Sequence, residues 1–277
     1  MPNVPRVFNW IGSDEEKQYW DEPANWAEGE YPDQKEAIVV FSGSLRKDTT
    51  IYLRKDIHLG KLWLSEQDSI TFDAEDSPNS EEDNGPRFYF ETDNQFSPIF
   101  VDRNNRADHK ARRWILHSCI FGQTHRALSL GRPLPDDVRV TTIHFDGVIG
   151  NYKDPERASL QVYGHLKFQL NNVNMFNGPV VAKDNGEIRV MKNGGIPDDT
   201  SITLENNGSI YAEEGVTIRA SELNINRVSL EPGMYFSDEL EPESLQSLVP
   251  QMLENVKDLQ VTQVSNLKGK GLVLVGG

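Results

Sequence analysis

The chain holds a single cysteine, Cys119, in 277 residues. No internal disulfide can form, and no Cys-rich zinc site is available. Long apolar runs are missing too: none approaches the ~20 residues that a membrane-spanning helix requires. Basic residues are scarce, with 28 Lys and Arg against 43 Asp and Glu, for a net charge of −15. Such a surface repels nucleic-acid phosphates and anionic lipid, which disfavours both as partners. The opening Met1-Pro-Asn-Val-Pro-Arg-Val-Phe-Asn-Trp10 lacks a basic stretch followed by an apolar one, so no secretory signal is expected there. Neither a Walker-type phosphate loop nor a dinucleotide fingerprint occurs, and no cofactor is expected.

What the chain has in quantity is short alternation. From about 140 to 230, apolar residues alternate with polar ones over three to five positions, and Asn, Gly or Asp then breaks the run. Thr142-Ile-His-Phe145, Ser159-Leu-Gln-Val162, Leu166-Lys-Phe168, Pro179-Val-Val181, Glu187-Ile-Arg-Val190, Ser201-Ile-Thr-Leu204, Val216-Thr-Ile218 and Leu223-Asn-Ile225 all follow it. Each reads as a strand with one buried face. Strands this short suit a solenoid, whose coils each hold several strands paired with the coils above and below. Ile188, Val190, Ile202, Leu204 and Ile210 would stack into one continuous core. Gly and Asn would supply the positive φ angles of the corners. A β-sandwich is the alternative, but its strands usually run longer between more widely spaced turns. The fold expected is therefore all-β, a right-handed parallel β-helix.

The remaining segments set the domain boundaries. Residues 1–41 form a Trp-rich N-terminal cap, with Trp10, Trp20 and Trp26 close together and the strand-like Ala37-Ile-Val-Val-Phe41 at its end. Residues 42–235 form the β-helix, starting with Thr50-Ile-Tyr-Leu53, Gly60-Lys-Leu-Trp-Leu64 and Ser69-Ile-Thr-Phe72. An irregular insertion spans 73–113. Its first half, to Pro86, is acidic and turn-rich, and its Asp/Glu spacing misses the calcium-loop pattern. Its second half is the only basic stretch, with Arg103, Arg106, His109, Lys110, Arg112 and Arg113. That stretch reads as a loop offsetting acidic surface, or as a contact for an acidic protein partner, another copy of this chain included. Between 87 and 140, Phe88-Tyr-Phe90, Ile99-Phe-Val101 and Arg113-Trp-Ile-Leu-His117 read as strands without an assigned coil. Residues 236–277 close the chain. Leu245, Leu248, Val249, Met252, Leu253 and Val256 recur at helical spacing over 238–258, with Pro250 to kink that helix. Leu259-Gln-Val261 and Leu272-Val-Leu-Val275 return to strand.

Candidates for chemistry are few. Asp136-Asp137 with Asp146 and Asp154, and the pair Asp198-Asp199, are the best carboxylates for polysaccharide cleavage. Both adjacent pairs follow a proline, which favours solvated turns, and neighbours along a strand point opposite ways. The six histidines (His58, His109, His117, His125, His144 and His165) show no helical metal spacing, so no metal site is expected. His117-Ser-Cys119 reads as a packed core thiol and not as a nucleophile. Trp20 and Trp26 have two readings, an exposed platform for glycan or a mini-core plugging the first coil.

Two regions resemble a known class. Trp10-Ile-Gly, Trp20, Asn25-Trp26, Gly29, Pro32 and Ala37-Ile-Val-Val-Phe41 are similar to the opening found ahead of many autotransporter-type β-helix regions, with Glu36 where Asp is usual. Asn174-Met-Phe-Asn-Gly178, Gly186-Glu-Ile-Arg-Val190, Ile196 to Leu204, Asn207-Gly-Ser-Ile210 and Leu223-Asn-Ile225 resemble the autotransporter-associated β-helix repeat, with Phe176 replacing its usual Tyr. Glu231-Pro-Gly-Met-Tyr235 and Leu267-Lys-Gly-Lys-Gly-Leu-Val-Leu-Val275 look like the ending of the same class. The matching residues are turn and core residues, so the resemblance implies a fold and carries no catalytic residue. An autotransporter has a secretion signal and a C-terminal membrane barrel, and neither is recognised here. A small β-helix of this kind is expected to be a non-enzymatic bacteriophage virion protein. It would be a capsid decoration protein, or part of a fibre or spike, self-associated as a trimer and bound to a protein lattice such as a major capsid protein. A secreted adhesin or glycan-binding module is the second expectation, placing the chain outside the cell or on its surface. A polysaccharide lyase or hydrolase is the third.

Overall fold

The computed structural model describes residues 5–42, 48–65, 70–75, 86, 88–90, 159–174, 176, 178–240 and 260–276, and otherwise the backbone of six strands between 99 and 150. The first strands are β1 (Val7–Asn9), β2 (Gln18–Tyr19), β3 (Ile38–Phe41), β4 (Thr49–Leu53), β5 (Ile57–Leu59), β6 (Lys61–Leu64), β7 (Ile70–Ala74) and β8 (Phe88–Phe90). Described by backbone are β9 (Ile99–Val101), β10 (His109–Ala111), β11 (Leu116–His117), β12 (Ala127–Gly131), β13 (Thr141–Phe145) and β14 (Ile149–Gly150). Then come β15 (Ser159–Tyr163), β16 (Leu166–Leu170), β17 (Val180–Lys183), β18 (Glu187–Val190), β19 (Thr200–Glu205) and β20 (Ser209–Ala212). The last are β21 (Thr217–Ile225), β22 (Val228–Ser229), β23 (Gly233–Phe236), β24 (Gln260–Gln263), β25 (Leu267–Gly269) and β26 (Leu272–Val275). The described chain is all-β, and its one helical element is a 3-10 turn at Pro23–Asn25.

The strands form two large sheets. A 13-stranded sheet runs β1-β3-β6-β9-β12-β15-β17-β19-β21-β26-β23-β24, with β22 beside β21. A 9-stranded sheet runs β2-β4-β7-β10-β13-β16-β18-β20-β25. Up to β21 the chain keeps alternating between the two, and each strand pairs in parallel with its predecessor in the same sheet. Two small parallel pairs, β5 with β8 and β11 with β14, lie outside them. Parallel pairing needs a crossover, and here the crossover is the visit to the other sheet.

Alternation puts one face of every strand inward. In β15 and β16 every second residue is buried. Register then stacks like on like. Leu160, Val180, Ile202 and Leu223 form one row of the first sheet, each fully buried. Phe168, Ile188, Ile210 and Leu267 form the matching row of the second sheet. Burying each such side chain is worth about 1.5–3 kcal/mol, so these rows dominate cohesion. A neighbouring row tapers, running Leu170, Val190, Ala212, Gly269. The inward positions expected at Ile188, Val190, Ile202, Leu204 and Ile210 are all buried.

Corners fall where Asn, Asp and Gly cluster. Asp184 and Asn185 take φ of 52° and 65°, and Asn206 and Asn207 take 47° and 64° one circuit later. Gly186 and Gly208 follow these pairs and serve a different purpose, since neither has a left-handed φ. A Cβ on Gly186 would lie 2.7 Å from the carbonyl carbon of Val162 and 2.9 Å from the Cα of Tyr163. The missing side chain lets this corner rest directly on the backbone of the preceding circuit.

One expectation about the strands is corrected. Val216–Ile218 and Leu223–Ile225 are not separate strands but halves of the nine-residue β21. No Gly, Asn or Pro interrupts Arg219–Glu222, so nothing breaks the extension. A register shift at Thr200/Ser201 absorbs the extra length. Residues 217–220 pair with β26, and the later half pairs with β19.

The two ends differ. At the first end the segment 25–28 covers β1. Asn9 donates its backbone N–H and its Nδ2 to the Glu28 carboxylate, both at 2.9 Å, while Ala27 N–H donates to Asn9 O at 2.9 Å. At the other end β23 runs antiparallel to β26, which breaks the parallel series before β24. The strand expected at 259–261 is β24, shifted by a residue or two. The helix expected over 238–258 falls, from 241 on, outside the described residues.

Candidate functional site

Trp20 and Trp26 are 0 % and 2 % exposed, which removes the glycan-platform expectation, because stacking needs an open ring face. Trp26 meets Trp10 edge-on at a centroid distance of 4.9 Å and Trp20 at 5.0 Å. Trp20 also packs on Phe88 at 4.9 Å, so this cluster is continuous with the core of the following circuits. Both indole N–H groups are used internally: Trp20 Nε1 donates to Pro32 O at 2.9 Å, and Trp26 Nε1 to Trp20 O at 2.7 Å.

The basic stretch is not brought into view. Arg103, Arg106, Arg112 and Arg113 lie outside the described residues. Lys110 is placed only as backbone of β10, opposite Thr71 and His144. Asp136, Asp137, Asp146, Asp154, Cys119 and the acidic loop at 76–85 also lie outside them. Asp198 and Asp199 occupy an exposed turn, with Asp199 at φ 62°. Among the described residues no three His, Cys, Asp or Glu side chains gather as a metal site. No helix among them is long and apolar enough to cross a membrane.

The outer face of the 9-stranded sheet holds the most developed polar arrangement, at residues the sequence reading passed over. Register places Lys167, Glu187 and Ser209 in one row, and Gln169, Arg189, Tyr211 and Lys268 in the next. Glu187 opens β18 directly after the close-packed Gly186. Its side chain is only 7 % exposed although it sits on the outer face, with three cations around the carboxylate. Lys268 Nζ donates to Oε2 at 2.8 Å. Lys167 Nζ lies 3.5 Å and Arg189 Nε 3.6 Å from Oε1. The Arg189 guanidinium in turn lies over the Tyr211 ring at 4.2 Å. Burial is the main cause that holds the Tyr211 phenol above its ordinary pKa, with the Glu213 carboxylate adding to it.

Around this cluster runs an open polar groove. His165, Asn185, Asn207, Asn226 and Asn266 complete its walls. Asn185, Asn207 and Asn226 come from left-handed turns, and His165 follows Gly164 in a tight turn at φ 27°. Lys167 and Lys268 keep 35 % and 44 % of their side-chain surface in solvent, so both ammonium groups serve the groove as well as Glu187. Among the residues that line the groove, two lysines against one carboxylate leave a local positive excess on a chain of net charge −15. The signal available in the sequence was the spacing that puts Lys167 and Glu187 at the starts of paired strands.

Elsewhere on the outer faces, some charges are tied locally. Arg54 pairs with Asp21 at 2.9 Å and lies over Tyr19 at 4.3 Å. Lys55 donates to Asp33 at 3.0 Å and to the Tyr31 hydroxyl at 2.7 Å. The half-buried Trp63 has Lys61 over its ring at 5.6 Å. Compared with protein-family models, with curated proteins and with solved structures, the chain finds no match.

Proposed function

We propose that the two large sheets are walls of one right-handed parallel β-helix, and that the chain is a non-enzymatic structural protein of a virion surface. In this reading it is a capsid decoration protein or part of a fibre or spike, seated on a protein lattice and associated with copies of itself. One observation carries it: rows such as Leu160, Val180, Ile202 and Leu223 run in register from strand to strand, while some outward charges pair with one another, as Arg54 with Asp21 and Lys55 with Asp33. That division of labour suits a rigid rod that presents a surface. The resemblance of the repeats to autotransporter-associated β-helices agrees with it. Electron microscopy of purified particles, with mass spectrometry of their proteins, tests the proposal. Absence of the chain from every particle or filament refutes it.

A second reading, a saccharide-binding surface module, is favoured by the groove around Glu187 and not by the tryptophans.

A further inference from the structure

We infer that the groove over β16, β18, β20 and β25 binds an anionic saccharide, one whose hydroxyls flank a carboxylate or sulfate. This deepens the saccharide-binding reading and does not depend on particle assembly.

The charge argument comes first. The chain as a whole repels anions, yet two cations, Lys167 and Lys268, line this groove against the single carboxylate of Glu187. A lysine ammonium has three donors and can hold a carboxylate on one side and a ligand anion on the other. Glu187 is buried beneath the two lysines and fixes where they stand. Holding long side chains in advance lowers the entropy cost of binding.

The second argument concerns shape and chemistry. The groove is open and polar, with the exposed amides of Asn185 and Asn207 and the hydroxyl of Ser265 lining it beside the ammonium groups. Amides and hydroxyls both donate and accept, which suits sugar hydroxyls, whereas a bare inorganic ion needs none of them. Lys167, Glu187, Ser209 and Asn266 stand on or beside successive strands. Neighbouring strands are about 4.8 Å apart, close to the length of one pyranose ring, so a saccharide laid across the strands meets one strand per sugar. The absence of an open aromatic face among these lining residues makes charge and hydrogen bonding the source of affinity.

The test is calorimetric titration of the full chain with three probes of equal length: an oligogalacturonate, a sulfated oligosaccharide and a neutral oligosaccharide. The anionic probes should bind, more weakly as salt rises, and the neutral probe should bind at least about tenfold more weakly, as loss of one charge-assisted hydrogen bond implies. The ratio of the two anionic probes tells carboxylate from sulfate. Lys268→Gln and the double variant Lys167→Gln with Lys268→Gln should lose affinity in that order. Lys270→Gln, at a salt bridge with Glu214 outside the groove, should leave binding unchanged. Melting curves of every variant separate lost folding from lost binding, and Lys268→Gln alone suffices if the double variant unfolds. The inference is overturned if neither anionic probe binds, if the lysine variants bind like the parent, or if single-stranded DNA binds as tightly as the saccharides. Particle association stays untouched by any of these results, so the two proposals fail separately.

Discussion

Replacing Gly186 by alanine tests the stacking of circuit on circuit. The added Cβ would meet the Val162 carbonyl carbon at 2.7 Å and the Tyr163 Cα at 2.9 Å, against an ordinary carbon–carbon contact of about 3.5–4.0 Å. Every obstructing atom is backbone, so no rotamer change can relieve the clash. The corner must lift by most of an ångström. That movement strains the hydrogen bonds Gly164 N–H to Asp184 O at 3.0 Å and Ser209 N–H to Gly186 O at 2.9 Å. Overpacking costs about 1–3 kcal/mol, and with no flexible partner the upper end applies. At about 2–4 °C per kcal/mol for a chain of this size, Tm should fall by roughly 6–12 °C. Gly215→Ala is the control. Gly215 has φ +80° with nothing within 4 Å of a Cβ, so only backbone strain acts. Its cost is about 1 kcal/mol, a fall of roughly 2–4 °C. Thermal unfolding followed by far-UV circular dichroism measures both. The reasoning fails if Gly186→Ala melts within a degree of the parent, or if Gly215→Ala is the more damaging change.

Three further outcomes are expected. Trp26→Ala should destabilise the fold by about 3–5 kcal/mol in urea titrations, since it empties a buried site shared with Trp10 and Trp20; an unchanged midpoint would contradict the burial. Glu28→Ala should uncover the N–H of Asn9 at the edge of β1 and shift the protein toward larger species in sedimentation velocity, whereas an unaltered profile would show the edge is shielded by other means. Stability should decline in alkali: burial, the main cause, holds the phenols of Tyr211 and Tyr235 above their ordinary pKa. Unfolding then releases protons, so this contribution is complete below about pH 10 and is lost as pH rises through the folded-state values. Urea midpoints at about pH 8 and about pH 11 should differ less in Tyr235→Phe than in the parent.

Most strand positions were legible because the pattern is local. In Glu187–Val190 the buried Ile188 and Val190 bracket an outward Arg189, and glycine closes the corner before them. The fusion of β21 was not legible, since whether a polar run such as Arg219 to Glu222 bends or extends is decided by the partners on each side. The tryptophans show the limit for sites. Composition cannot tell an exposed ring from a buried one, and only the circuit closing over Trp20 decides it. Glu187 was hidden for the opposite reason. Its partner Lys268 lies 81 residues away in sequence, and only the return of β25 to the second sheet brings them together.

The narrowing series Leu170, Val190, Ala212, Gly269 has a consequence for length. Over β16, β18, β20 and β25 each residue of this row is smaller than the one before, and at Gly269 no side chain is left to give up. A further strand set beside β25 would thus find no side chain of that row to pack against, and the row ends where its residue volume runs out.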